Sequence, residues 1–142
     1  MNVKVKLLNV KAKLPTKGCE KAAGYDLYST VDTLIMPHET VKIGTGLAIQ
    51  PPEGYFGAIF ARSGLATKYG VRPSNCTGVA DEDYTGEYIV ALHNDSCDPV
   101  LIKEGDRIAQ LVFLPYIDVE FNKVEELNKT ERGVCGFGST GK

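Results

Sequence analysis

Histidine is scarce in this chain: His38 and His93 are the only two in 142 residues. Cysteine is little commoner, and Cys19, Cys76, Cys97 and Cys135 stand far apart with no C-x-x-C pair. The two shortages speak against a structural zinc site and against a metal centre built on imidazoles, both of which need clustered ligands. Scattered thiols fit a reducing compartment. No run approaches the ~20 apolar residues of a membrane-spanning helix. Positive charge is not in excess either: 16 Lys and Arg face 18 Asp and Glu, a net charge of −2. A general nucleic-acid or membrane-surface binder is usually basic, so neither partner is expected. A small anionic substrate stays open, because it needs only local positive charge. The start, Met1 to Lys6, alternates and lacks the apolar centre of a signal peptide. The expected location is the cytoplasm, or the host cytoplasm for a viral or phage source.

What is present is a rhythm of short strand-like runs. Val3, Val5 and Leu7 alternate with Lys4, Lys6 and Leu8. Runs at Thr33–Met36, Thr40–Ile43, Gly46–Ile49, Glu87–Leu92, Pro99–Ile102 and Ile108–Phe113 each stop at Gly, Pro, Asn-Asp or Glu-Gly, and the run Tyr55–Phe60 follows Glu53-Gly54. This predicts an all-β domain, a sandwich, jelly roll or barrel. One short helix is expected over Leu65–Tyr69, with Ser63 as its cap and Gly70 ending it. The chain is long enough for one domain with a real core. Residues 1–127 are expected to form it. Residues 128–142 hold four glycines and little apolar surface, and read as a flexible flap of the same domain.

Three stretches carry candidate chemistry. The first is Gly78-Val79-Ala80-Asp81-Glu82-Asp83-Tyr84-Thr85-Gly86. Its carboxylates read alone as a solvated hairpin turn. The apolar approach to Asp81 predicts partial burial instead, and a partly buried carboxylate near a phosphate can serve as a general base for water. The second is Arg62-Ser63-Gly64. It reads alone as a surface turn; functionally it is a phosphate grip of free N–H groups, a hydroxyl and a guanidinium. The third runs from Gly136 to Gly141. It reads alone as a disordered end. Phe137 is out of place in a pure linker, and can stack on a ring while Ser139 and Thr140 meet phosphates and Arg132 adds charge. Asp106 and Arg107 read as a structural pair. Gln110, among apolar residues, needs a partner. Asp26 reads as a lone carboxylate in an apolar context.

In this order, AGYDL at 23–27, RSGLA at 62–66, GVADEDYTG at 78–86, GDRIAQL at 105–111 and RGVCGFGSTG at 132–141 resemble the five motifs of the trimeric dUTPase family across nearly the whole chain. The resemblance implies a jelly-roll-like distorted barrel of the β-clip type. It implies a homotrimer whose sites are each built from three subunits, and Mg2+ on the triphosphate. The implied reaction is hydrolysis of dUTP to dUMP and pyrophosphate, which lowers dUTP and supplies dUMP for thymidylate synthesis. By resemblance Asp81 is the base, Tyr84 the floor under deoxyribose, and Asn75 with Gly78, Val79 and Ala80 the hairpin that reads uracil. Arg62, Ser63, Gly64 and Gln110 resemble phosphate ligands, and Asp26 the acid that helps hold magnesium through water. Arg132, Phe137, Gly138, Ser139 and Thr140 resemble the closing arm. Ala80, Glu82, Thr85 and Cys135 depart from the commonest residues at their positions; none is a reacting group. Two rivals are a deaminase of dCTP on a related fold and a regulatory binding protein on the same scaffold. The Asp81-to-Tyr84 motif and the full tail favour the diphosphatase.

Overall fold

A computed structural model describes residues 2–136. Eleven strands and one helix follow one another as β1 (Lys4–Leu7), β2 (Thr16–Lys17), β3 (Tyr25–Tyr28), β4 (Thr33–Ile35), β5 (Thr40–Gln50), β6 (Tyr55–Phe60), α1 (Ser63–Tyr69), β7 (Val71–Pro73), β8 (Gly78–Ala80), β9 (Glu87–Asn94), β10 (Val100–Ile102) and β11 (Arg107–Pro115). They form a four-stranded sheet β1-β5-β9-β7, a five-stranded sheet β2-β3-β11-β6-β8 and a two-stranded ribbon β10-β4. Every pairing is antiparallel. Among the described residues no sheet closes on itself, so the expected distorted barrel is an open set of sheets around one core. No described helix is long and apolar enough to cross a membrane.

Alternation builds that core. On β9 the pattern puts Tyr88, Val90 and Leu92 inside and leaves Ile89 half exposed. Ile43, Leu47 and Ile49 of β5 meet them from the same sheet. Leu27, Ile59, Ile108 and Leu111 close from the other sheet, and Ile35 and Ile102 from the ribbon. Burying each such side chain contributes about 1.5–3 kcal/mol. The Tyr88 hydroxyl is buried with no hydrogen-bond partner among the described residues. Burial pushes it up to about 12, and neighbouring Tyr84 adds to the shift.

The runs 40–43 and 46–49 prove to be one strand. The predicted stop at Gly44 is a register shift between Gly44 and Ala48 within the β5–β9 pairing. Glu87 explains why glycine stands there. A Cβ at Gly44 would lie 2.5 Å from Glu87 Oε1, and the same oxygen accepts a hydrogen bond from the Gly46 N–H at 2.8 Å. Gly46 itself has φ +67°. The buried Thr45 hydroxyl donates to the Tyr88 carbonyl at 2.7 Å, which satisfies it within the core.

The helix begins at Ser63, two residues earlier than predicted, and its cap one residue earlier. Arg62, in extended conformation, is the N-cap; Ser63 is already helical and makes no capping bond. Gly70 ends the helix in the left-handed region with φ 67°, and its N–H bonds back to Ala66 and Leu65. Strands β2, β3, β7 and β8 are short segments that the apolar runs did not reveal. After Pro115, residues 116–136 form no helix or strand. Ile117, Val119 and Phe121 are exposed there at alternate positions.

Candidate active site

The first cluster is built by β3 and β11. Their register sets Asp26 opposite Gln110, so the buried carboxylate meets the amide across the sheet. Asp26 Oδ1 accepts from Arg62 Nε at 3.0 Å and from Gln110 Nε2 at 3.3 Å. Its Oδ2 accepts from Arg107 Nη1 at 3.2 Å. Asp26 is therefore not a lone carboxylate but the anchor of two guanidinium groups. The expected Asp106–Arg107 pair is also corrected. The Asp106 carboxylate instead accepts the Lys103 N–H at 2.8 Å, closing the turn into β11, and Arg107 turns to Asp26 past the β-bulge between positions 107 and 109.

Arg62 and Arg107 open onto a cavity of about 510 Å³ lined also by Gly64, Lys68, Tyr69 and Asp106, among others. Three cations around it face two carboxylates, Asp26 and Asp106, which leaves a surplus of positive charge. Ser63 and Gly64 are exposed at the helix start. The first intrahelical bond there is Ala66 N–H to Arg62 C=O at 2.9 Å, so the preceding N–H groups have no helical acceptor. The arrangement suits a polyanion.

The second cluster follows β8. Gly78 and Ala80 face the interior and Val79 faces out, so the next residue, Asp81, turns outward and is exposed. The expected partial burial of Asp81 does not occur, because strand alternation sends it to the open side. It lies on a cavity of about 820 Å³ with Gln50, Phe56, Val79, Asp83 and Tyr116. Among the described residues its carboxylate forms no hydrogen bond. The Tyr84 N–H closes the turn onto the Asp81 carbonyl at 3.1 Å. The Tyr84 hydroxyl donates to the Glu87 carbonyl at 2.8 Å, and its ring lies 6.0 Å from that of Tyr88, tilted by 39°. Glu82 points back into the body: its Oε2 accepts from Gly54 N–H and from the Tyr116 hydroxyl, both at 2.7 Å. These bonds, the one from Tyr116 first, hold the Glu82 carboxyl below its ordinary range and raise the Tyr116 hydroxyl.

Asn75 is exposed in a turn where Cys76 N–H reaches Pro73 C=O at 3.1 Å and Thr77 N–H reaches Asn75 C=O at 2.6 Å. Cys76 holds a left-handed φ of 62° there. The segment is not a hairpin. β7 pairs with β9 and β8 pairs with β6, so the turn carries the chain from one sheet to the other. Among the described residues Arg132 bonds locally, Nε donating to the Cys135 carbonyl at 2.9 Å. Phe137, Gly138, Ser139 and Thr140 lie outside the described residues.

Arg62, Ser63, Gly64, Gln110 and Asp26 are thus brought together, and so are Val79, Asp81 and Tyr84. The two groups are not brought to each other. Ala80 lies opposite Gly57, five residues before Arg62, and at about 3.3 Å per extended residue this is roughly 17 Å of chain. The two clusters sit at opposite ends of β6 and line different cavities. Arg107, Glu82 and Tyr116 were not among the sequence candidates. Only the unmet need of buried Asp26 for cationic partners pointed toward the first of them. Among the described residues no three His, Cys, Asp or Glu side chains are grouped to hold a metal ion. A carboxylate has about four lone-pair sites. Asp26 uses three of them, which leaves about one for a metal ion or for a metal-bound water.

The dUTPase family model matches residues 10–141. A deoxyuridine 5'-triphosphate nucleotidohydrolase of Desulfitobacterium hafniense is 48% identical, covering 99% of this chain and 97% of its own. The structure of a Staphylococcus bacteriophage 80alpha dUTPase mutant with dUpNHpp is similar at TM-score 0.89 and 31% identity, covering 99% of both chains. A mutant dUTPase from phage phi11 of S. aureus, described as revealing the coordination of a structural Mg(II) ion, has a TM-score of 0.84 at 28% identity over 91% of this chain and 100% of its own.

Proposed function

The chain belongs to the dUTPase family and hydrolyses dUTP to dUMP and pyrophosphate, and from that premise we propose how its residues divide the work. Asp81 takes a proton from the water that attacks the α-phosphorus. What carries this reading is that Asp81 stands exposed on a wide cavity with its oxygens free for water, while its neighbour Glu82 is already engaged. Tyr84 lies under the deoxyribose and leaves no room for a 2′-hydroxyl. Asn75 and the backbone of Gly78, Val79 and Ala80 read the uracil edge.

Arg62, Ser63, Gly64 and Gln110 receive the phosphates. Arg62 and Arg107 are held ready by Asp26, so little side-chain freedom is lost on binding. As the bond to the leaving pyrophosphate breaks, charge moves toward these fixed donors and their attraction grows. Mg2+ on the triphosphate, when bound, neutralises part of its charge; Asp26 would hold it through water. Residues 128–142 act as a flap. Arg132, Ser139 and Thr140 meet the phosphates, Gly138 lets the backbone approach, and Phe137 stacks on the base.

The working unit in this reading is a cytoplasmic homotrimer with shared sites. Two observations support it. The phosphate grip and the base stand toward opposite ends of β6 and line different cavities. Ile117, Val119 and Phe121 present exposed apolar side chains with strand alternation, uncovered among the described residues.

A nucleotide panel tests the reading. The protein should release pyrophosphate from dUTP, and neither ammonia from dCTP nor orthophosphate from dUTP. Asp81→Asn should still bind dUTP but lose ~10²–10⁴-fold in kcat, the usual worth of a general base. Turnover near the normal rate in a folded Asp81→Asn protein would overturn the assignment.

A further inference from the structure

We infer that Glu82 and Tyr116 form a clamp that positions Asp81, so that both are positioning residues for hydrolysis. The inference rests on the reading of Asp81 as the base. Asp81 begins a turn that the Tyr84 N–H closes at 3.1 Å. A turn closed on itself at a loop tip can still swing as a unit about its two ends. Glu82, the next residue, stops that swing. Its Oε2 takes the Gly54 N–H and the Tyr116 hydroxyl, each at 2.7 Å, within the short range of charge-assisted bonds.

The two donors are themselves tied together, since the Tyr116 N–H bonds to the Gly54 carbonyl at 3.2 Å. Three chain segments thereby meet in a closed ring: the 81–84 turn, the turn before β6 and the residue that follows β11. Gly54 is fixed in turn by φ +75° and by the bond of Tyr55 N–H to Pro52 C=O at 3.0 Å. The ring lies on the cavity that Asp81 lines. It also pins the point from which residues 116–136 leave the body.

The plain alternative is that Glu82 is a solvated surface acid whose bonds add a little stability and nothing to the chemistry. Kinetics of folded variants separate the two, because small misplacements of a reacting group cost rate out of proportion to stability. Steady-state kinetics on dUTP with Mg2+ should show Glu82→Ala losing roughly 10- to 100-fold in kcat, with KM changed by less than about twofold because the phosphate grip is elsewhere. Glu82→Gln should keep most of the rate, since both donors go to one oxygen that an amide oxygen can replace. Tyr116→Phe removes a single oxygen atom and should cost severalfold in kcat. Added to Glu82→Ala, it should cost nothing more. Thermal melting of each variant confirms that the rate is read on folded protein, and should Glu82→Ala not fold, Tyr116→Phe and Glu82→Gln carry the test. Normal kcat in folded Glu82→Ala or Tyr116→Phe overturns the clamp, as does a Glu82→Gln defect equal to that of Glu82→Ala. Asp81→Asn runs alongside. If it stays active, the base assignment has failed; if it is inactive while the clamp variants turn over normally, the clamp alone has failed.

Discussion

Tyr84 is held by its hydroxyl on the Glu87 carbonyl while 43% of its surface stays exposed. The held hydroxyl fixes the ring, and the exposed part can meet a sugar. Tyr84→Ala should therefore shrink the kcat/KM ratio of dUTP to UTP, by about 10-fold or more if the ring is worth 1–3 kcal/mol of discrimination. Steady-state kinetics on both nucleotides reads this, and an unchanged ratio places the sugar gate elsewhere. Glu82 gives a second test, in pH. Hydrogen bonds from Tyr116 and Gly54 lower its folded-state pKa below the unfolded value. Its contribution is then fully present above about pH 4.5 and lost as pH falls through the folded value. The Tyr116 hydroxyl is raised, so its share is present below about pH 10 and lost as pH rises through the folded value. Relative to Glu82→Gln, the native chain should lose more melting temperature between pH 5 and pH 3, as thermal scans across that range would show. Parallel acid curves would remove the stabilising role of the charge.

Two glycines at positive φ separate backbone freedom from space. Gly54 has φ +75° with nothing within 4 Å of an added Cβ, whereas Gly46 has φ +67° with Asn9 Nδ2 at 2.6 Å and the Ala12 Cβ at 2.8 Å. Gly54→Ala should cost ~1–2 kcal/mol from the backbone alone. Gly46→Ala should cost about 1–3 kcal/mol more, because β5 must also move off the 9–12 segment. Urea unfolding of the pair measures the difference, and equal losses would deny the close approach. These elements also show what could be read beforehand. The run Tyr55–Phe60 was legible to the residue, since apolar side chains and flanking glycine and proline agree there. The stop at Gly44 was misread, because a glycine that makes room for Glu87, forty-three positions away, looks the same as one that ends a strand. Asp26 was legible as a carboxylate in an apolar context, though it was read as a lone one. Its partners were not legible, for Arg62 and Arg107 lie 36 and 81 residues along the chain, and the β3–β11 and β11–β6 registers together bring them in. The exposure of Asp81 was hidden for a similar reason: it depends on which face β8 turns to the core once it pairs with β6.

At the scale of the molecule, sharing can be tested by mixing. Asp81→Asn chains lack the proposed base, and chains ending at Glu131 lack the arm. Refolded together they should recover measurable dUTP hydrolysis that neither shows alone, and sedimentation should show three chains per particle. Mixed trimers no more active than their parents would overturn the shared site. β6 gives that arrangement a meaning beyond chemistry. In a cell that carries two versions of this gene, the halves of each shared centre would be drawn independently. Lesions at opposite ends of the strand would cover for one another, while lesions at the same end would not. Alleles would sort by the end they occupy rather than by severity, and a table of crosses would trace out β6.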